Sequence, residues 1–162
     1  MEGGVNMIVK ETDLFKGLSV EILEKIASQC EEMRFKPQEV IFKSGEKGGG
    51  IYILEEGQVD VFVPGPTGGG IHFVISKPGE IIGFMALAEP PIHVASATAT
   101  SEVKVVKVPL EVLENLISRP SQDALVFLKN LVVLLAQRLR LAYGLVAEEV
   151  SRETAPYVPS YG

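Results

Sequence analysis

The sequence predicts a mainly β fold, a roll or sandwich of short strands flanked by helices at both ends. Three observations carry this expectation. From Phe35 to about Val108, the runs "EVIFKSG", "GIYILEEGQVDVFVPG", "IHFVISKPGE" and "SEVKVVKVP" alternate or concentrate β-branched residues, each bounded by Gly or Pro. Ahead of them, from Glu11 to about Arg34, Leu14, Leu18, Ile22, Leu23, Ile26 and Ala27 recur at helical spacing. Behind them, after Pro109, the apolar period returns to that of a helix.

The first stretch reads as a short helix pair with Ser19 as an N-cap, preceded by an N-terminal segment, residues 1–10. The middle stretch, with regular short strands punctuated by turns, fits a β-sandwich or barrel-like roll. "GPTGGG", Gly65 to Gly70, lacks the Lys-Ser/Thr of a phosphate loop and reads as a hairpin connection. In the last stretch, "PLEVLENLI" opens a helix with proline at its start. A longer helix follows, on which Leu128, Leu131, Leu135, Leu139, Ala142 and Val146 form an apolar seam and Lys129, Gln137 and Arg140 lie off it. Such a seam needs a partner, either the strands of its own chain or a second copy of the helix; we read it as shared with a second copy. The domain therefore runs over residues 11–146, and 147–162 form a tail in which "APYVPSYG" has no period, so disorder and a docked strand both stay open.

Composition narrows the function. The chain has 162 residues, 46% of them hydrophobic, enough for one core but not two domains. A formal charge of −6 with no basic stripe speaks against a nucleic-acid partner. Cys30 is the sole cysteine, which excludes an intramolecular disulfide and an iron–sulfur cluster; it reads as a buried apolar residue on a helix. "MEGGVNMIVKE" lacks the apolar core of a signal peptide, and Lys129, Arg138 and Arg140 interrupt the longest apolar run, so a cytoplasmic protein without a membrane span is expected. No Ser-His-Asp arrangement, paired-carboxylate motif or HExxH is present, which points away from an enzyme. His72, between Ile71 and Phe73, reads as a solvated strand residue, and two unconnected histidines do not make a metal or haem ligand set, so no cofactor is expected.

The segment "GEIIGFMALAEPPIHVASATA", Gly79 to Ala99, carries the chemistry. Its small residues suit a place where backbone N–H groups approach a ligand closely. Its ionisable side chains are few: Glu80, Glu89 and His93. Pro90 and Pro91 fix its loop.

"LFKGLSVEILEKIASQCEEMRFKPQEVIFKSGEKGGGIYILEEGQVDVFV" closely resembles the first half of cyclic nucleotide-binding domains of the catabolite-activator and kinase-regulatory-subunit type, with Gly45, Gly48, Tyr52 and Gly57 at the family's strand turns. The resemblance covers about Leu14 to Arg140. It implies a double-stranded β-helix, a jelly-roll-like β-roll, with N-terminal helices and a long C-terminal dimerisation helix. It also implies a homodimer through the 125–146 helix and a regulatory, ligand-sensing role, with a protein partner left open. Family members that regulate transcription carry a DNA-binding helix-turn-helix after that helix, and about twenty residues follow Arg140, so no sequence-specific DNA binding is expected of this chain.

The resemblance further implies that Gly79 to Ala99 is the phosphate-binding cassette, in which a Glu holds the ribose 2′-hydroxyl and an Arg the cyclic phosphate. The ligand-binding candidates it assigns are Gly83, Phe84, Met85, Ala86, Leu87, His93, Val94, Ala95 and Ser96. Gly83, Ala86 and Leu87 match the family pattern, but Phe84 stands at the Glu position, and His93 at the Arg position, or Val94 if the loop is one residue longer. Each lost charge-assisted contact is worth about 1.5–3 kcal/mol. Losing both costs roughly a hundredfold to ten-thousandfold in affinity. Little or no cyclic AMP or cyclic GMP binding is expected: the cradle has become apolar, for a different small ligand or for none. His93 reads either as a pH-sensitive anion contact or as a loop histidine without a role.

Overall fold

The computed structural model of the chain describes residues 4–152. Among these residues, two helices, α1 (Gly4–Glu11) and α2 (Val20–Ser28), lead into eight strands, and two more helices follow them, α3 (Leu110–Ile117) and α4 (Gln122–Arg152). The strands are β1 (Glu31–Phe35), β2 (Val40–Phe42), β3 (Gly50–Glu56), β4 (Val59–Pro64), β5 (Gly70–Ile75), β6 (Ile81–Ile82), β7 (Ser96–Ala99) and β8 (Val103–Pro109). They form two antiparallel four-stranded sheets, ordered β1-β8-β3-β6 and β2-β7-β4-β5. The fold is the expected mainly β roll with flanking helices.

The central strands β3 and β8 are apolar on both faces because each face meets a different core. Ile51, Ile53, Val106 and Val108 pack with α1, α2, α3 and the start of α4, while Tyr52, Leu54, Val103 and Val105 pack between the sheets on Val59, Ala97 and Ala99. A strand buried on both sides loses the polar half of its alternation, which is why "GIYIL" reads as a continuous apolar run and "VKVVKV" keeps only the half-buried Lys104 and Lys107 as polar positions.

The helices depart from expectation at the N-terminus. The periodicity predicts a helix pair from Glu11, but the first helix runs Gly4–Glu11 and buries Ile8 and Val9 in the helix-side core. A single 3-10 turn, Asp13–Phe15, separates it from α2. Ser19 caps α2 as predicted: its Oγ accepts from Ile22 N–H at 3.4 Å, and it donates to Asp123 of α4 from N at 2.7 Å and Oγ at 2.9 Å. The strands also start earlier than Phe35, at Glu31. Cys30 is correspondingly not on a helix: it lies past the end of α2, half-buried, with its thiol donating to Ile26 O at 3.1 Å and its pKa pushed up to about 12 by burial.

Helix α4 is 31 residues long, a span of about 46 Å at 1.5 Å per residue. Its first turns are anchored by Phe127, stacked on Phe15 at 6.1 Å, and by Asn130, whose Nδ2 donates to Leu14 O at 2.9 Å and Lys16 O at 2.8 Å. It runs beyond residue 146 as a continuous helix to Arg152, and the "APYVPSYG" tail lies outside the described residues. The apolar seam needs one correction. Leu131 packs partly buried against the core, and its place in the exposed row is taken by Val132, 64% exposed. The exposed row is therefore Leu125, Leu128, Val132, Leu135, Leu139 and Val146, with half-buried Ala142 between the last two, in steps of three and four residues. No helix among the described residues is long and apolar enough to cross a membrane.

Candidate functional site

The cassette segment folds as β6, a single 3-10 turn (Phe84–Leu87), a loop and β7. Gly83 enters the turn in the left-handed region at φ +84°, where a side chain would be strained. The turn lies so close to the 43–49 loop that a Cβ on Gly48 would collide with the Cβ of Ala86. The same loop fastens the outgoing half of the cassette. Gly45 N–H donates to His93 O at 2.7 Å, His93 N–H to Glu46 O at 2.9 Å, and Gly48 N–H to Pro91 O at 2.8 Å. Ser44 N–H donates to Ser96 Oγ at 2.9 Å.

These elements line a half-open cavity of about 350 Å³ between the cassette, β4, β5 and the middle of α4. Six of the nine predicted site residues line it: Gly83, Phe84, Met85, His93, Val94 and Ala95. The other three do not. Ala86 is buried against Gly48, Leu87 packs toward the helix-side core, and the Ser96 hydroxyl is engaged by Ser44.

His93 lies in the loop as read from the sequence, but buried, and it does not hold out a cation to an anion. It is 3% exposed and its ring lies flat on Phe42, 3.8 Å between centroids and 13° from parallel. Burial is the main cause of its lowered pKa, with Lys107 adding to it and Glu46 opposing. The imidazole is therefore neutral at neutral pH, and the guanidinium that the family places in the cassette has no cationic substitute there. Val94, 42% exposed, is the neighbouring side chain on the cavity wall. His72 follows expectation: it is exposed on β5, with Nδ1 2.9 Å from Asp60 Oδ1 and its ring 4.5 Å from Phe62.

The fourth wall was not legible in the sequence. Leu135, Arg138, Leu139 and Ala142 of α4 face the cavity. Arg138 crosses above Phe84, with Nη2 donating to Ile81 O at 3.0 Å and the guanidinium carbon 5.8 Å from the Phe84 ring centroid. Burial lowers its pKa and nearby Glu80 opposes the shift; a guanidinium stays charged in either case. Glu80 itself accepts from Ser76 N–H at 3.2 Å and Lys77 N–H at 2.9 Å, outside the cavity. An arginine inside an apolar helical run was the available signal, read only as an interruption of a membrane span.

A β-roll with a cassette and a closing helix lining a small cavity is the architecture of the cyclic-nucleotide-binding domain class. Residues 32–120 match the cyclic nucleotide-binding domain family, and the chain belongs to it. A CRP-like cAMP-activated global transcriptional regulator of Mycobacterium tuberculosis is 26% identical over 134 residues, 82% of this chain and 58% of that protein. A cAMP-dependent protein kinase regulatory subunit of Colletotrichum orbiculare is 32% identical over 97 residues, 60% of this chain and 24% of that protein. Among solved structures, the catabolite activator protein of Thermus thermophilus superposes with a TM-score of 0.69 at 28% identity, over 86% of this chain and 63% of that one. The chain thus spans less than two thirds of the length of these relatives.

Proposed function

We propose that this chain is a non-enzymatic sensory module in which the family's fold answers to a small apolar ligand rather than to cyclic AMP or cyclic GMP. One observation carries the reading: the cavity is walled by Phe84 where the family has its ribose-binding Glu, and by Val94 beside a buried, neutral His93 where it has its phosphate-binding Arg. The cavity volume falls within the range of small-molecule sites. The printed functions of the relatives, transcriptional regulation and kinase regulation, support a regulatory role as a class.

The working unit in this reading is a cytoplasmic homodimer, one domain per chain from α1 through α4. The exposed row on α4 supports it: steps of three and four over Leu125 to Val146 match the seam of a two-stranded coiled coil. The net charge of −6 gives no electrostatic footing for DNA. Calorimetry with cyclic AMP and cyclic GMP tests the reading directly: no heat of binding is expected at ligand concentrations up to the millimolar range. Micromolar binding of either nucleotide overturns it.

A further inference from the structure

The cavity has a chemical asymmetry that narrows its ligand beyond "small and apolar". Its floor and sides are hydrocarbon and aromatic: Phe42, Val61, Phe73, Phe84, Leu135 and Leu139. No carboxylate lines it, and its imidazole is neutral. Its one fixed charge is the Arg138 guanidinium, which among the described residues gives a single hydrogen bond, to Ile81 O, out of five N–H donors.

Arg138 also borders the neighbouring groove that holds Glu80, whose carboxylate acts on it from outside the cavity; a half-buried guanidinium with unused donors at the edge of a carboxylate-free cavity still favours an anion there over a cation. A single planar guanidinium also matches a carboxylate in two parallel hydrogen bonds. A phosphate dianion asks for more donors and charge than one arginine supplies. We propose that the cavity takes an apolar monocarboxylate, its hydrocarbon body among Phe42, Val61, Phe73 and Leu135 and its carboxylate on Arg138. This rests on the reading above, that the ligand is not a cyclic nucleotide. The guanidinium has in effect moved from the cassette to the closing helix, and the anion it meets has an apolar body instead of a ribose.

The test uses octanoate and 1-octanol, which share a chain and differ in charge, with the 162-residue chain and its Arg138→Gln variant. Calorimetry is expected to give octanoate at least tenfold tighter than octanol on the wild type. Arg138→Gln should erase that preference while leaving octanol affinity within about twofold, which also shows that the cavity persists in the variant. Equal or tighter binding of octanol to the wild type, or an octanoate preference that survives Arg138→Gln, overturns the proposal. So does a folded wild type that binds neither chain. A response to cyclic AMP in the same series is a different failure, since it removes the underlying reading as well.

Discussion

The imidazole of His93 lies nearly parallel to the ring of Phe42 at 3.8 Å, in a place so tight that a Cβ on Gly83 would come within 3.3 Å of it and one on Gly48 within 3.6 Å. A neutral ring suits this place; an imidazolium would be desolvated there, a cost that the Glu46 carboxylate offsets only in part.

That burial makes stability depend on pH. The folded-state pKa of His93 is lowered from the usual 6.5, so below that value the unfolded chain binds the proton more readily. The contribution is fully present above about pH 6.5 and is lost as pH falls toward the folded-state pKa. The melting temperature is expected to fall between pH 7 and pH 5 in the wild type. In His93→Phe, which keeps a stacked ring and removes the titration, that slope should flatten. An equal slope in both proteins would assign the pH dependence elsewhere.

Gly48 carries a sharper structural demand. A Cβ there would collide with Ala86, the buried residue of the cassette turn. Gly48→Ala should cost about 1–3 kcal/mol by overpacking, read as a lower midpoint in urea at unchanged m-value. An unchanged midpoint would mean that the turn and the 43–49 loop separate freely.

In the proposed dimer, the exposed row on α4 divides into two parts. Leu128 and Val132 do not reach the cavity, whereas Leu135 and Leu139 do. Leu128→Glu with Val132→Glu should dissociate the dimer, since unpaired carboxylates would enter an apolar seam, and leave a folded monomer. Leu135→Glu with Leu139→Glu should dissociate it and also place charge on the cavity wall. Light scattering with circular dichroism separates the cases: a monomeric wild type, or a dimer that survives the first pair, removes α4 as the interface.

What the sequence revealed follows from what its local patterns encode. The strands β3 and β8, the Ser19 cap and the Gly65–Gly70 hairpin all depend on local propensity and turn chemistry, and they were legible. Strand β1 was hidden because "EEMRF" is rich in charge; it is held by pairing with β8, where Lys104 Nζ lies 3.5 Å from Glu32 and 3.3 Å from Glu55. Helix α1 was hidden by glycines at its start, and burial of Ile8 and Val9 outweighs their cost. The cavity's fourth wall, Arg138 included, depends on where a distant helix crosses the roll. No spacing within that helix encodes a crossing point.

The position of His93 also decides how the cassette should be rebuilt. Sequence alone left His93 and Val94 as rival places for the family's arginine. His93→Arg would force a guanidinium into the stack on Phe42, where the backbone on both sides is held by Glu46 and Gly45; it should destabilise the fold without creating a site. Val94 is on the cavity wall and partly exposed, so an arginine there can reach the cavity while its stem stays solvated. Phe84→Glu places a carboxylate under Arg138, which can pair with it. Phe84→Glu with Val94→Arg is therefore expected to bind cyclic AMP measurably where the parent does not, by roughly a hundredfold or more if both contacts form at about 1.5–3 kcal/mol each. Either single change should give far less than half of that gain in free energy, because each contact orders the ligand for the other. Calorimetry on the four proteins checks the cycle. A folded double variant that stays silent would mean that the frame has diverged along with its side chains, and single gains in free energy that sum to the gain of the double would mean that the contacts act independently.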